Sequence, residues 1–140
     1  MNATKVLETC LYVDDLFRAE RFYTDVLGLE FVSRQEGRHA FFRCGPAMLL
    51  LFNPLSSREA SQVAGTPIPL HGAFGAGHVA FAANEAELPA WRAQLDRHGV
   101  AIEQTIDWPG GGRSLYFRDP AGNSLEFATP RIWGIAEQLP

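Results

Sequence analysis

Apolar and polar residues alternate along several short stretches of this chain, and two longer stretches repeat their apolar residues at helical spacing. Alternation at period two is typical of a strand with one buried face, whereas a spacing of three or four is typical of an amphipathic helix. The pattern predicts strands over residues 5–13, 29–35, 38–44, 47–52, 77–83 and 100–107, and a hairpin of two more within residues 114–128. It predicts one helix that ends at Gly28 and a second that ends at Gly99.

The order strand–helix–strand–strand–strand occurs twice, which indicates an internal duplication. In this repeat Glu8, in the first strand of one copy, aligns with His78, in the first strand of the other. We predict an α+β fold in a single domain over residues 1–140, with module one at about residues 5–53, module two at about 73–130 and a C-terminal tail at 131–140. Residues 54–72 contain several prolines and serines and are predicted to be a linker or mobile loop, with a lid as the alternative.

The hairpin near the C-terminus carries an acidic residue between two apolar ones. Leu125 and Phe127 share one face, so Glu126 points to the other, together with Tyr116 of the preceding strand. The turn between the strands, residues 119–123, contains a proline, a glycine and an asparagine. The hairpin alone leaves two interpretations of Glu126 open: a solvated residue on the wet face of an antiparallel sheet, or a ligand or base that lines a cavity.

Composition and charge narrow the classes of partner. The net charge is −4 and no basic run occurs, which argues against nucleic acid and against an anionic membrane. Cys10 and Cys44 are too few for a disulfide scaffold and suggest reduced thiols in a cytoplasm. The N-terminus lacks the apolar core of a signal peptide, and no apolar run approaches membrane-spanning length. We therefore expect a cytoplasmic protein.

Four segments together give the chain a family resemblance. They are Tyr-Val-Asp-Asp-Leu at residues 12–16, Arg-Phe-Tyr-Thr-Asp-Val-Leu-Gly at 21–28, Gly-His-Val-Ala-Phe at 77–81 and Phe-Arg-Asp-Pro-Ala-Gly-Asn-Ser-Leu-Glu at 117–126. In this order and spacing the chain resembles the glyoxalase / bleomycin-resistance / extradiol-dioxygenase group, the vicinal oxygen chelate superfamily. The resemblance implies two βαβββ modules whose mixed sheets curl into a half-open cup around a divalent metal ion.

The resemblance also implies metal ligands in the first and last strands of the modules. These positions fall on Glu8, His78 and Glu126, with a surface carboxylate as the alternative for Glu8 and a satisfied core histidine for His78. A fourth position, where glyoxalase I carries a glutamate, falls within the run of leucines at residues 49–51, so no ligand is available there. One imidazole and two carboxylates favour manganese, iron or magnesium somewhat over zinc, with nickel and cobalt as further alternatives.

Several residues are candidates for contact with a substrate. Tyr116 matches a tyrosine near the metal in the fosfomycin-modifying relatives, and it is a candidate catalytic residue with Glu126 and Glu8. Arg113, beside a run of three glycines, is a candidate for holding an anionic group, with a solvated arginine as the alternative. His71, at the end of the linker, is a weaker candidate for substrate binding.

Two function classes stay open. The first is a divalent-metal-dependent enzyme that acts on a small oxygen-chelating substrate by lyase, dioxygenase or transferase chemistry, and the leucine run argues against a typical glyoxalase I. The second is a metal-free small-molecule binding protein of the bleomycin-resistance type. In two-module relatives the ligands commonly meet across a two-fold axis, so the resemblance implies a homodimer with sites at the interface.

Overall fold

The computed structural model describes residues 1–137 and divides the chain into two compact units, of which the second begins at His78. Unit one contains β1 (Glu8–Tyr12), α1 (Leu16–Arg21), β2 (Glu30–Gln35), β3 (His39–Cys44), β4 (Ala47–Phe52), β5 (Ser61–Val63) and β6 (Thr66–Ile68). Unit two contains β7 (His78–Ala82), α2 (Leu88–Arg97), β8 (Gln104–Asp107), β9 (Arg113–Arg118) and β10 (Ser124–Ala128). No helix in residues 1–137 is both long and apolar enough to cross a membrane.

The two units repeat one sheet topology. The strand order is β1-β4-β3-β2 in unit one and β7-β10-β9-β8 in unit two. In each, the first strand lies parallel to the last, and the other neighbours are antiparallel. The helix follows the first strand in both. This repetition confirms the predicted α+β fold of two βαβββ modules.

Each sheet packs one face into an apolar core, and the opposite face, called the open face below, carries the remaining side chains. In unit one the buried residues of β1 and β4 alternate with less buried ones, and Leu11, Leu49 and Leu51 are at most 3% exposed. In unit two the buried residues of the hairpin include Leu115, Phe117, Leu125 and Phe127. The period-two pattern therefore assigned the faces correctly, because successive side chains of a strand point to opposite sides.

The helical boundaries follow local chemistry. Asp15 caps α1 by accepting a hydrogen bond from the Arg18 amide at 2.9 Å, and α1 continues as a π-helical segment, Phe22–Val26. Asn84 begins a capping box with Glu87, ahead of a short 3₁₀ turn (Glu85–Glu87) that leads into α2. Both caps satisfy backbone amides that the first turn of a helix leaves without partners.

Three predicted boundaries differ from the structure. β1 begins at Glu8, not at residue 5, and the preceding residues are exposed. β8 begins at Gln104, not at residue 100, because the Val100 amide still donates to the Leu95 carbonyl at the end of α2. The linker is not featureless: it contains a 3₁₀ turn (Ser56–Arg58) and the small hairpin of β5 and β6.

The turn between β9 and β10 fixes the strand that carries Glu126. Asp119 is buried and its Oδ1 accepts hydrogen bonds from the amides of Ala121 at 3.0 Å and Asn123 at 2.8 Å. The Asn123 side-chain amide donates to Asp119 Oδ2 at 2.9 Å. Gly122 adopts the left-handed conformation with φ of 86°. Side-chain hydrogen bonds within the turn therefore fix its conformation, and β10 starts directly after it.

Candidate metal centre

Glu126 occupies the middle of β10, an interior strand of the unit-two sheet. Its register partners are Ala80 on parallel β7 and Tyr116 on antiparallel β9. The residue is only 4% exposed although it points away from the face that carries Leu125 and Phe127. A solvated carboxylate on the wet face of the sheet, one of the two interpretations of this hairpin, is therefore excluded.

His78 begins β7 and approaches the same carboxylate. Its Nδ1 lies 2.9 Å from the Ser124 carbonyl oxygen, which can only accept, so Nδ1 carries a proton. The neutral ring then presents the lone pair of Nε2, the form of histidine that binds metal ions. Nε2 lies 3.3 Å from Glu126 Oε2. Two atoms with lone pairs at this separation repel each other unless a proton or a cation lies between them.

The second oxygen of Glu126 has no partner. Oε1 is buried and makes no hydrogen bond within residues 1–137. A buried acceptor without a partner costs about 1–3 kcal/mol of stability, and such groups in folded proteins commonly await a ligand, a water or an ion. The Glu126 carboxylate, with its orphaned Oε1, and the His78 Nε2 that faces its Oε2 together form a donor set that fits a divalent cation. Two atoms each about 2.1 Å from one such ion are roughly 3 Å apart, which agrees with the observed separation.

Tyr116 lies beside this pair. Its ring is stacked at 23° to the His78 ring, with 6.3 Å between the centroids. Burial raises the pKa of the Tyr116 phenol, and the negative charge of Glu126 raises it further. The phenol is therefore protonated at neutral pH, and its hydroxyl interacts with the Glu126 carboxylate. Of the predicted site residues, the structure brings together His78, Glu126 and Tyr116.

Glu8 holds the corresponding place in unit one. It is paired with Met48 in the parallel ladder of β1 and β4, as His78 is paired with Ser124 in unit two. By the same correspondence Leu50 holds the place of Glu126. Glu8 is exposed, so its carboxylate is accessible. Within residues 1–137, no three His, Cys, Asp or Glu side chains gather closely enough to hold a metal ion by themselves.

Arg113 and His71 lie elsewhere. Arg113 forms an ion pair with Asp107 on the neighbouring strand β8, and this partner raises the pKa of the guanidinium. His71 belongs to unit one, where its Nδ1 lies 2.8 Å from the Tyr12 hydroxyl. The predicted role of both side chains in substrate binding stays a prediction.

Two features of unit two carry no sequence signal of their own. The Ser124 carbonyl that orients His78 is a backbone atom, so residue types do not reveal it. The second is a cavity of about 510 Å³ in unit two whose lining includes Ala80, Ala82 and Ala128. Alternating alanines on a strand were visible in the sequence, but small residues alone do not distinguish a cavity from a close packing contact.

Known proteins place this geometry in a family. A sequence model of the Glyoxalase/Bleomycin resistance protein/Dioxygenase superfamily matches residues 5–127. The chain belongs to this superfamily. The match spans both βαβββ units, in agreement with the resemblance seen in the four sequence segments. No curated protein sequence matches the chain.

Solved structures of the superfamily have the same fold. A lactoylglutathione lyase from Agrobacterium tumefaciens is 45% identical, with a TM-score of 0.90 over 96% of this chain and 100% of that one. A glyoxalase / bleomycin resistance protein / dioxygenase from Nocardioides is 26% identical, with a TM-score of 0.71 over 100% of this chain and 92% of that one. The fosfomycin resistance protein FosX from Mesorhizobium loti is 20% identical, with a TM-score of 0.61 over 92% of this chain and 93% of that one, and it supports the fold alone.

Proposed function

We propose that this superfamily member is a divalent-metal-dependent enzyme that acts on a small oxygen-chelating substrate. The observation that carries the proposal is the meeting of His78 Nε2 and Glu126 Oε2 at 3.3 Å, beside a buried Glu126 oxygen without a partner. A structural ion pair would leave no reason to bury the second oxygen unsatisfied. A cation-binding site gives that oxygen a function.

His78 and Glu126 would hold the ion together with Glu8. One imidazole and two carboxylates leave coordination positions free, and the bound ion would polarise substrate oxygens as a Lewis acid. The Ser124 carbonyl holds the His78 ring in the tautomer with a free Nε2. Tyr116 would donate a hydrogen bond to a substrate oxygen, which orients the substrate and stabilises negative charge that develops on it.

We further propose that the protein works as a homodimer with two sites at the interface. Glu8 belongs to unit one, and the pair of His78 and Glu126 belongs to unit two. The predicted arrangement takes Glu8 from one protomer and the pair from the other. The exposed carboxylate of Glu8 and the half-exposed ring of His78 are both accessible for such a shared site.

The name of the 45% identical relative favours one specific reaction, that of a lactoylglutathione lyase. Such a reaction moves a proton between adjacent carbons and needs a carboxylate base near the substrate. Unit one offers Leu50 at the place that corresponds to Glu126, and only Glu8 would be available for the role. We therefore retain the prediction that the chain is not a typical glyoxalase I, and treat lactoylglutathione lyase activity as the second candidate function.

Metal binding tests the proposal directly. Mn²⁺ or Fe²⁺ affinity, measured by calorimetry on purified protein, should fall at least about tenfold in His78→Ala and in Glu126→Ala. Glu103→Ala is the matched control, because Glu103 is an exposed glutamate of unit two that pairs with Arg118. Unchanged affinity in both site variants would refute the site. A wild-type protein that binds no metal but still binds small molecules would favour the metal-free binding protein.

A further inference from the structure

The open faces of the two sheets differ in how they are filled. In unit one, Tyr12 and Phe52 are register partners at the end of the parallel ladder, and both are half-buried. The Phe52 ring lies 5.5 Å from Phe41 and 4.6 Å from His71 between centroids. Aromatic side chains therefore fill this end of the face.

In unit two the same register positions carry alanine. Ala82 pairs with Ala128 where Tyr12 pairs with Phe52. Methyl groups in place of two aromatic rings leave room above the sheet, and a cavity of about 510 Å³ is found there. This volume lies within the range of small-molecule sites, about 300–1,000 Å³. The duplication thus serves as an internal reference: one copy of the face is filled and the other is emptied.

The emptied face is continuous with the candidate metal centre. Ala80, which lines the cavity, is the direct register partner of Glu126. Ala128, also in the lining, lies two residues beyond Glu126 on β10 and therefore on the same face. A ligand whose oxygens reach Glu126 has its adjoining atoms over these alanines.

The rest of the lining combines apolar residues, among them an exposed indole, with the polar side chains of Asn84, Glu87 and Thr129. Trp133 and Ile135 both line the cavity and are 79% and 61% exposed. A 3₁₀ turn, Pro130–Trp133, holds them next to the sheet, and the Ile135 amide donates to the Pro130 carbonyl at 3.2 Å. An exposed indole beside an alanine floor offers a planar surface for stacking, which favours an aromatic ring over a branched aliphatic group.

We propose that this alanine-floored cavity binds an aryl group of the substrate, and that the substrate is an aryl compound with two adjacent oxygens. The part of this inference that concerns the two oxygens rests on the proposed function. The aryl site itself is argued from residues of unit two alone. Ala82 and Trp133 determine specificity: the first leaves the space and the second provides the ring contact.

Two oxo-acids that share one chelating head test the preference. Phenylglyoxylate and glyoxylate differ by the aryl ring, and calorimetry on Mn²⁺-loaded protein should show phenylglyoxylate binding about tenfold tighter or more. Ala82→Phe fills the cavity with a ring at the position where unit one has Tyr12, and it should abolish this preference by lowering the affinity for phenylglyoxylate. Trp133→Ala should reduce the preference about threefold or more. Ala90→Phe, on the exposed side of α2, makes the same change away from the cavity and should retain it.

A binding experiment without metal tests the aryl site separately from the metal-dependent function. In EDTA, 1-naphthol should bind the wild type and Ala90→Phe but not Ala82→Phe, whether or not the protein takes a metal. Equal naphthol binding by both phenylalanine variants would overturn the aryl site. Binding of naphthol together with failure to bind Mn²⁺ would support the aryl site and refute the metal-dependent function. Because Ala82 is exposed, Ala82→Phe is expected to fold, and circular dichroism checks this.

Discussion

Replacing Glu126 by leucine should make the metal-free protein more stable. The Glu126 side chain is only 6% exposed and one of its oxygens has no partner, which costs about 1–3 kcal/mol. Leu50 already occupies the corresponding place in unit one, so the fold accommodates leucine at this register position. Loss of the contact with His78 costs at most about 1 kcal/mol, because that ring is 52% exposed.

The net expectation is a gain of about 1–2 kcal/mol in the free energy of unfolding, or a Tm higher by about 3–8 °C for a chain of this size. The assay is urea and thermal unfolding of wild type and Glu126→Leu in EDTA. Added Mn²⁺ should reverse the order, because a ligand at a hundred times its Kd stabilises the wild type by about 2.7 kcal/mol and leaves the variant unaffected.

Glu103→Leu is the control for this experiment. Glu103 is an exposed glutamate whose carboxylate lies 2.7 Å from the Arg118 Nε, so its replacement should give a slight loss of stability in EDTA and the same stabilisation by Mn²⁺ as in the wild type. The reasoning fails if Glu126→Leu is less stable than wild type in EDTA. In that case the carboxylate makes a net favourable contribution without a metal, and its burial no longer indicates a cation site.

Three further predictions test the fold, the assembly and the reaction. Gly112→Ala should cost about 2 kcal/mol or more in urea unfolding, because φ is +91° and the new β-carbon would lie 2.5 Å from a threonine oxygen, whereas Gly110→Ala meets nothing within 4 Å and should be nearly neutral. A mixed dimer of Glu8→Ala and Glu126→Ala chains should retain one intact metal site of two if the sites are shared between protomers, and none if each lies within one chain. Because Leu50 offers no carboxylate at the place that corresponds to Glu126, we expect a kcat/KM below roughly 10⁴ M⁻¹s⁻¹ for the methylglyoxal–glutathione hemithioacetal with Ni²⁺, Zn²⁺, Co²⁺ or Mn²⁺. A higher value would assign Glu8 the role of base.

The strands and their faces were predictable from the sequence because one face of each sheet is buried. Alternation in β4 reports that burial directly. In β10 the alternation of Leu125 and Phe127 in the sequence placed Glu126 on the opposite face, although both faces of this strand are buried. The pairing of Glu8 with His78 in the repeat was also visible, since both residues open the first strand of a module.

Other features could not be predicted because they depend on contacts distant in sequence or on backbone atoms. The strands β5 and β6 have three residues each and are largely exposed, so no periodic burial marks them. The depth at which Glu126 is buried depends on both neighbouring strands. The cavity exists because Ala82 lacks the aromatic ring that Tyr12 provides at the same register position in unit one. An alanine in the sequence does not by itself show that a ring is missing.

The turn at residues 119–123 has a consequence for quality control of the protein. Asp119 and Asn123 set where β10 starts against both of its neighbours. A slip of one residue in β10 would keep every strand but turn Glu126 toward the helix side and bring an apolar residue to the open face. Such a molecule would have an ordinary circular dichroism spectrum and no activity. Circular dichroism would therefore not detect a one-residue shift of β10. Metal titration is the measurement that distinguishes protein with the native register from protein with a shifted β10.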